Sequence, residues 1–520
     1  MKHLLPAASL ALSALMPLAG EAAEPVKLDI PAVGPGPAGS VIARQIYGQF
    51  AEHLGSGVYG GLWVGPDSPI PNVRGWRSDV VGALKALKVP VVRWPGGCFA
   101  DEYHWRDGIG PQANRPPRVN TSWGGVIEPN TVGTHEFMDL AEQLGTEVYI
   151  NANLGSGTVQ EMAQWLEYLT AEGDTALARE RRANGRGKPW KIQYWGIGNE
   201  SWGCGGNMKP GYYAEQYRQW STFAKAPRGN RPKLVASGGQ ELALDWVETL
   251  SAEIKGRMDA VTHHQYSLPT RDWKKKGAAV GFPEAEWIST LAVPQTIDGY
   301  LAKHREILDR NDPAKKVAIY FDEWGSWYDP EPGTDPGFLV QRNTLRDAML
   351  AALHFHVFHR HADRVKMANI AQMVNVLQAL IVTDKNRMVL TPTYHAFAMH
   401  LPFMDATSLP VQLAGVPDYT LGQYSIPALS ASAARSVDGK LLLSLANTQP
   451  NQPLPLQLAV GGKGVRAVTG QLLTATTMDA ENRFEAPDRV KPQPFKAEAK
   501  NGQLVLNLPA KSVLVLEVQP

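Results

Sequence analysis

From residue 42 to residue 372, short apolar runs alternate with stretches whose apolar residues recur every three or four positions. That alternation leaves few folds open. The runs occupy 42–50, 89–94, 147–151, 192–198, 234–237, 260–266, 317–321 and 367–372. Between them, Val80, Leu84 and Leu87 mark one helix face, Phe137, Leu140, Ala141 and Leu144 a second, and Val159, Met162, Ala163, Leu166 and Leu169 a third. Further helices are predicted at 212–223, 242–254, 297–308 and about 339–358. Eight strand-then-helix units on this scale predict an α/β class chain, a (β/α)8 TIM barrel occupying 41–400.

Beyond about Thr407 the apolar period falls to two. Segments 431–437 and 441–446 flank an Asp438-Gly439 turn and read as a hairpin, and 495–500 and 504–508 flank Asn501-Gly502 and read as another. With a further strand at 513–518, these predict a C-terminal β-sandwich over 401–520. The isolated strand at 26–30, within 24–32, needs an edge to pair with and is expected to join it.

Composition and charge exclude several classes. A net charge of +1 with 19% charged residues carries neither a nucleic-acid footprint nor the mark of an acidic partner. Two cysteines, Cys98 and Cys204, are too few for a disulfide scaffold or a four-ligand zinc site, and whether they pair stays open. His354, His356, His359 and His361 spread around a helix end rather than along one face, which argues against a metal centre. Residues 1–23 combine a basic start, an apolar stretch and small residues at Ala22-Ala23, so a signal peptide and a periplasmic or secreted product are predicted. No later stretch is long and apolar enough to cross a bilayer.

The chemistry concentrates where two runs stop. The fourth ends in Trp195-Gly196-Ile197-Gly198-Asn199-Glu200, and the seventh closes on Asp322-Glu323-Trp324-Gly325. In such a barrel the carboxyl ends of the strands carry the active site. Two carboxylates there, one protonated and one ionised, suit glycoside hydrolysis with Glu200 and Glu323 as the pair. The long polar and aromatic segment 98–129 is a candidate for substrate contact. His263 and His264 point to opposite faces of the sixth strand, which puts one of them at the site.

Tyr47 to Gly55, Arg93-Trp94-Pro95-Gly96-Gly97-Cys98-Phe99, Trp195 to Glu200, His264-Gln265-Tyr266, Asp322-Glu323-Trp324 and Ala368 to Asn375 together resemble the family 51 glycoside hydrolases, the α-L-arabinofuranosidases. The resemblance implies a retaining, exo-acting enzyme that releases arabinofuranose from arabinoxylan, arabinan or derived oligosaccharides. It implies Glu200 as acid/base and Glu323 as nucleophile, with Arg93 and Tyr266 hydrogen-bonded to the Glu323 carboxylate. Glu52, Cys98 (partly through backbone), Asn199 and Gln372 would bind the furanose hydroxyls. Trp202, Trp327 and Tyr328 would either line the leaving-group side or pack in the core. No cofactor or metal is implied, and homo-oligomers are expected. An endo-β-glucanase or xylosidase on the same scaffold, or a non-catalytic carbohydrate-binding protein, are the alternatives.

Overall fold

The computed structural model describes residues 24–32, 39–240 and 243–519; the predicted signal peptide, 1–23, lies outside the described residues. Eight parallel strands, Gly48–Phe50, Val91–Trp94, Glu147–Ala152, Tyr194–Ile197, Lys233–Ala236, Ala260–Ser267, Ala318–Ser326 and Val365–Ile370, close into a barrel in chain order. Helices cover its outside, so both faces of most strands are dry. This is why the runs read as continuous apolar stretches rather than alternating ones. Among the described residues no helix is long and apolar enough to cross a membrane.

Several boundaries depart from the sequence-based expectation, the seventh strand running on to Ser326 and the helix expected at 297–308 starting at Val293; two more have a clear local cause. The first run makes a strand of three residues only, because Arg44–Tyr47 coils into a 3-10 turn. Arg44 and Gln45 reach instead for Asp405 and Glu147 at the barrel's lower rim. The strand begins at Gly48, where a side chain would lie 2.7 Å from both Val91 and Asn369. The helix predicted to begin near residue 339 runs Leu345–Arg360. Thr344 and Asp347 form a capping box that fixes its start.

The tail folds into two sheets around one apolar core. One has six strands in the order Thr407–Leu409, Leu429–Arg435, Leu441–Asn447, Ser512–Gln519, Ala467–Leu473, Gln493–Glu498. In the other, Val26–Ile30 lies between Gln412–Ala414 and Leu454–Val460. The hairpin expected across Asn501-Gly502 is reduced to a single bridge, Lys500 to Gln503, and the longer strands do not pair with each other. Gln493–Glu498 pairs with Ala467–Leu473, whereas Leu504–Leu508 pairs with Leu454–Val460, so the turn carries the chain from one sheet to the other. Leu504, Leu506 and Leu508 thereby reach the same core as Leu454, Leu456 and Leu458.

The strand Leu441–Asn447 of the six-stranded sheet is buried on both faces. Leu441, Leu443 and Leu445 enter the sandwich core, while Leu442 and Ala446 join the barrel's core. Between sheet and barrel runs a seam of histidines and serines. His400 Nδ1 donates to the Ala396 carbonyl, so its Nε2 accepts from Ser444 Oγ at 2.8 Å. The Ser444 hydroxyl must then accept from His356 Nε2, and His356 Nδ1 accepts from Ser430. His359 bridges Ser432 and Tyr47. His356, His359 and His400 thus join the sheet to the barrel as neutral imidazoles, whereas His361 pairs with Asp298 and Arg305. Burial holds His354, His356, His359 and His400 low, His354 and His400 at about 4.

These groups take up protons in the unfolded chain below about pH 6.5 but not in the native one. Stability is therefore full above that pH and falls as pH drops toward 4. His354→Leu should flatten the dependence of urea-unfolding free energy on pH between 6.5 and 4.5 by about 1.4 kcal/mol per pH unit. An unchanged slope would exclude His354 as an acid-sensitive group.

Candidate active site

The carboxyl end of the barrel gathers its charges around Arg93, at the end of the second strand. Arg93 Nη1 donates to Glu323 Oε1 at 2.8 Å, Nε lies 3.2 Å from Asp322 Oδ2, and Nη2 donates to Asn199 Oδ1 at 2.6 Å. The guanidinium also sits 4.6 Å above the Phe50 ring. Consecutive residues of a strand normally face opposite ways. Here the pairing with the eighth strand slips between Phe321 and Trp324, and both Asp322 and Glu323 reach the same cation.

Tyr266 donates to Glu323 Oε2 at 2.9 Å, so each Glu323 carboxylate oxygen has its own donor. His264 lies 2.9 Å from Glu200 Oε1 through Nδ1 and 3.1 Å from Asp322 Oδ1 through Nε2. Burial alone would strip its proton, but Glu323 and Asp322 outweigh that and push it up to about 10. It is an imidazolium at neutral pH, donating from both nitrogens. His263, on the other face, stacks on His304 instead. Burial opposes the Asp322 charge too, yet Arg93, His264 and the Tyr149 hydroxyl hold its carboxyl below the ordinary range.

Glu200 follows the fourth strand through Gly198, at φ 80°, and is itself in the left-handed region at φ 39°. This tight turn aims its carboxylate across the barrel mouth, and the side chain stays 19% exposed against 8% for Glu323. An oxygen of each comes within 4.8 Å of the other.

Glu52 occupies the neighbouring corner. Its Oε1 accepts from the Gly97 and Phe99 amides, and Gln372 Nε2 donates to Oε2 at 3.3 Å. Burial, reinforced by the Glu323 charge, raises it to about 7. The peptide bonds Trp94–Pro95 and Ala371–Gln372, beside this corner, are cis. Cys98 and Cys204 are joined in a disulfide, so Cys98 has no free thiol to offer. Cys204 Sγ lies 3.6 Å from Glu200 Oε2 and 3.8 Å from Asn199 Nδ2.

Trp327 packs edge-on against Tyr266 at 4.8 Å. Tyr328 leaves the site altogether: it is buried and bonded to Asp347 and Arg346. Trp202 packs against the barrel core. Two site residues escaped the sequence. Asp322 was hidden by the alternation rule. Asp101 accepts from the amides of Leu154, Gly155 and Asn199 and ties three strand exits together. Nothing in spacing or composition singles it out. Burial raises its carboxyl to about 7.

Residues 83–279 match the model described as alpha-L-arabinofuranosidase 1 domain, and 322–512 that of the alpha-L-arabinofuranosidase C-terminal domain. The chain is 48% identical over 481 residues to a Bacteroides ovatus protein named intracellular exo-alpha-L-arabinofuranosidase, covering 92% of this chain and 93% of that one. It belongs to the family 51 α-L-arabinofuranosidases. Among solved structures, a GH51 arabinofuranosidase from Xanthomonas axonopodis pv. citri superposes with a TM-score of 0.92 at 49% identity, covering 95% of this chain and 100% of that one. An alpha-L-arabinofuranosidase from Thermotoga maritima, in an arabinose complex, gives 0.83 at 30% identity over the same shares. The protein is therefore a glycoside hydrolase, and the family's retaining mechanism requires two carboxyl groups close across one anomeric carbon.

Removing the shared cation tests this electrostatic reading. Arg93→Met leaves Asp322 and Glu323 buried with His264 as their remaining cation. Urea unfolding should show a loss of about 3–5 kcal/mol. Because one carboxylate then holds a proton to higher pH, the acid limb of kcat/KM should move upward.

Proposed function

We propose that this chain removes terminal α-L-arabinofuranosyl groups by double displacement, with Glu323 as nucleophile and Glu200 as acid/base. The approach of the two carboxylates to within 4.8 Å carries the proposal, since direct attack needs about 5–5.5 Å and an interposed water needs more. Glu323 is oriented by Arg93 and Tyr266 and attacks the anomeric carbon. Glu200, more open to solvent, gives its proton to the departing oxygen. Formation of the glycosyl ester removes the Glu323 charge, and Glu200 then takes a proton from the incoming water.

The amide orientation of Asn199 follows from its partner: Oδ1 accepts from Arg93, which leaves Nδ2 to donate to a sugar hydroxyl. Glu52 and Gln372, bonded to each other, offer further hydroxyl partners on a rigid arc. The substrates are arabinofuranosyl side chains of arabinoxylan, arabinan or their oligosaccharides, cut from the end.

With an aryl α-L-arabinofuranoside, proton NMR of the first product should show retained configuration, and aryl β-xyloside and β-glucoside should turn over far more slowly. Glu323→Ala should lose all measurable turnover. Glu200→Ala should lose about 100-fold or more on substrates with poor leaving groups and much less on good ones. Wild-type rates in both variants, or inverted product, would refute the assignment.

We also propose that residues 1–23 direct export. The Cys98–Cys204 bond supports this, since such bonds persist in oxidising compartments and are rare in the cytosol. N-terminal sequencing of periplasmic or secreted protein should begin after Ala22 or Ala23; a full-length cytosolic product would refute it.

A further inference from the structure

The disulfide sits on the acid/base itself. Cys98 opens the 3-10 turn Cys98–Asp101 after the second strand, and Cys204 lies in a glycine-rich turn, Gly203-Cys204-Gly205-Gly206, after the fourth. The bond spans 106 residues of sequence and joins two loops that frame the site. Cys204 is exposed, so a reductant can reach it. One ligand atom each from Cys98, Cys204 and Glu200 lie within 4.8 Å of one another.

Tetrahedral zinc binds thiolate sulfur at about 2.3 Å and carboxylate oxygen at about 2.1 Å, which sets the sulfur–oxygen separation at about 3.6 Å. Cys204 Sγ and Glu200 Oε2 already stand 3.6 Å apart. Asn199 Nδ2, at 3.8 Å from the same sulfur, is placed to donate to a thiolate. While the sulfurs are bonded to each other they are poor ligands, because metal binding needs the thiolate. Once reduced, they have only to part to about 3.8 Å, the separation of two sulfurs on one tetrahedral zinc.

We propose that Cys98, Cys204 and Glu200 form a reduction-gated site for a thiophilic divalent cation of the zinc class, and that its occupation disables the enzyme by capturing the general acid/base. The inhibitory consequence rests on the role assigned to Glu200 above; the metal site does not. A dithiol opens it: the reductant loses two electrons and two protons in forming its own disulfide, and the Cys98–Cys204 bond takes them up as two thiols. Cation binding then releases both thiol protons and holds Glu200 as a carboxylate ligand with no proton to give. In an oxidising compartment the bond stands and zinc has no purchase. In a thiol-rich compartment the same chain is held inactive.

The full-length protein is tested oxidised and after treatment with a phosphine, which is converted to its oxide with oxygen from water while the water's two protons go to the thiols. Circular dichroism first establishes that the reduced chain remains folded. Cadmium chloride should then give a thiolate-to-cadmium ultraviolet band titrating at one ion per reduced chain, with none in the oxidised chain. Zinc chloride should slow the reduced enzyme by about 100-fold on a substrate with a poor leaving group, restored by chelator, and leave the oxidised enzyme unaffected. Cys204→Ser should show neither band nor zinc response in either state. Glu200→Gln keeps both thiols but should bind cadmium at least about 10-fold more weakly.

No band in the reduced wild type, unchanged affinity in Glu200→Gln, or equal zinc inhibition of both redox states would overturn the proposal. The cadmium measurements do not depend on turnover, so they decide the metal site even if the glycosidase reading fails.

Discussion

The site is built around one buried guanidinium. Arg93 meets Asp322, Glu323 and Asn199 at once, each brought by a different stretch of chain or a different register of one strand. A charge this deep is tolerated only when paired and hydrogen-bonded. Its pairing aligns the second, fourth and seventh strands at their carboxyl ends and fixes the position of the Glu323 carboxylate. His264 repeats the device on the other side, a second buried cation between Glu200 and Asp322. Two fixed cations among three carboxylates make a site that is preorganised for charge movement rather than assembled on binding.

A ring of loops keeps that arrangement in place. Asp101 accepts from amides at the third and fourth strand exits, so the turn carrying Asn199 and Glu200 is anchored from behind. The disulfide holds the same turn from the solvent side. The tight turn at Glu200 is thus over-determined by its surroundings, as a left-handed residue other than glycine has to be. Tyr266, which donates to Glu323, is itself packed edge-on by Trp327.

The sheet-rich tail completes the barrel's core rather than hanging from it. Its strand Leu441–Asn447 gives alternate residues to two different cores, and the histidine–serine seam lies between them. Polar side chains at a buried seam set one register of docking, because each hydroxyl and ring nitrogen has one compatible partner.

Much was written in the sequence. Continuous apolar runs ending in polar residues specify a parallel barrel with a functional rim, since strands covered on both sides leave only their ends for chemistry. Glu200 and Glu323 were legible as a pair for the same reason, each standing where a run stops. What tertiary structure alone decided depends on contacts between distant segments. The register slip that turns Asp322 inward, the burial that makes Asp101 an anchor, the joining of Cys98 to Cys204 and the crossing at Asn501-Gly502 all follow from which strand lies beside which. A local pattern has a period but no neighbour, and neighbours are what settle register, pairing and charge.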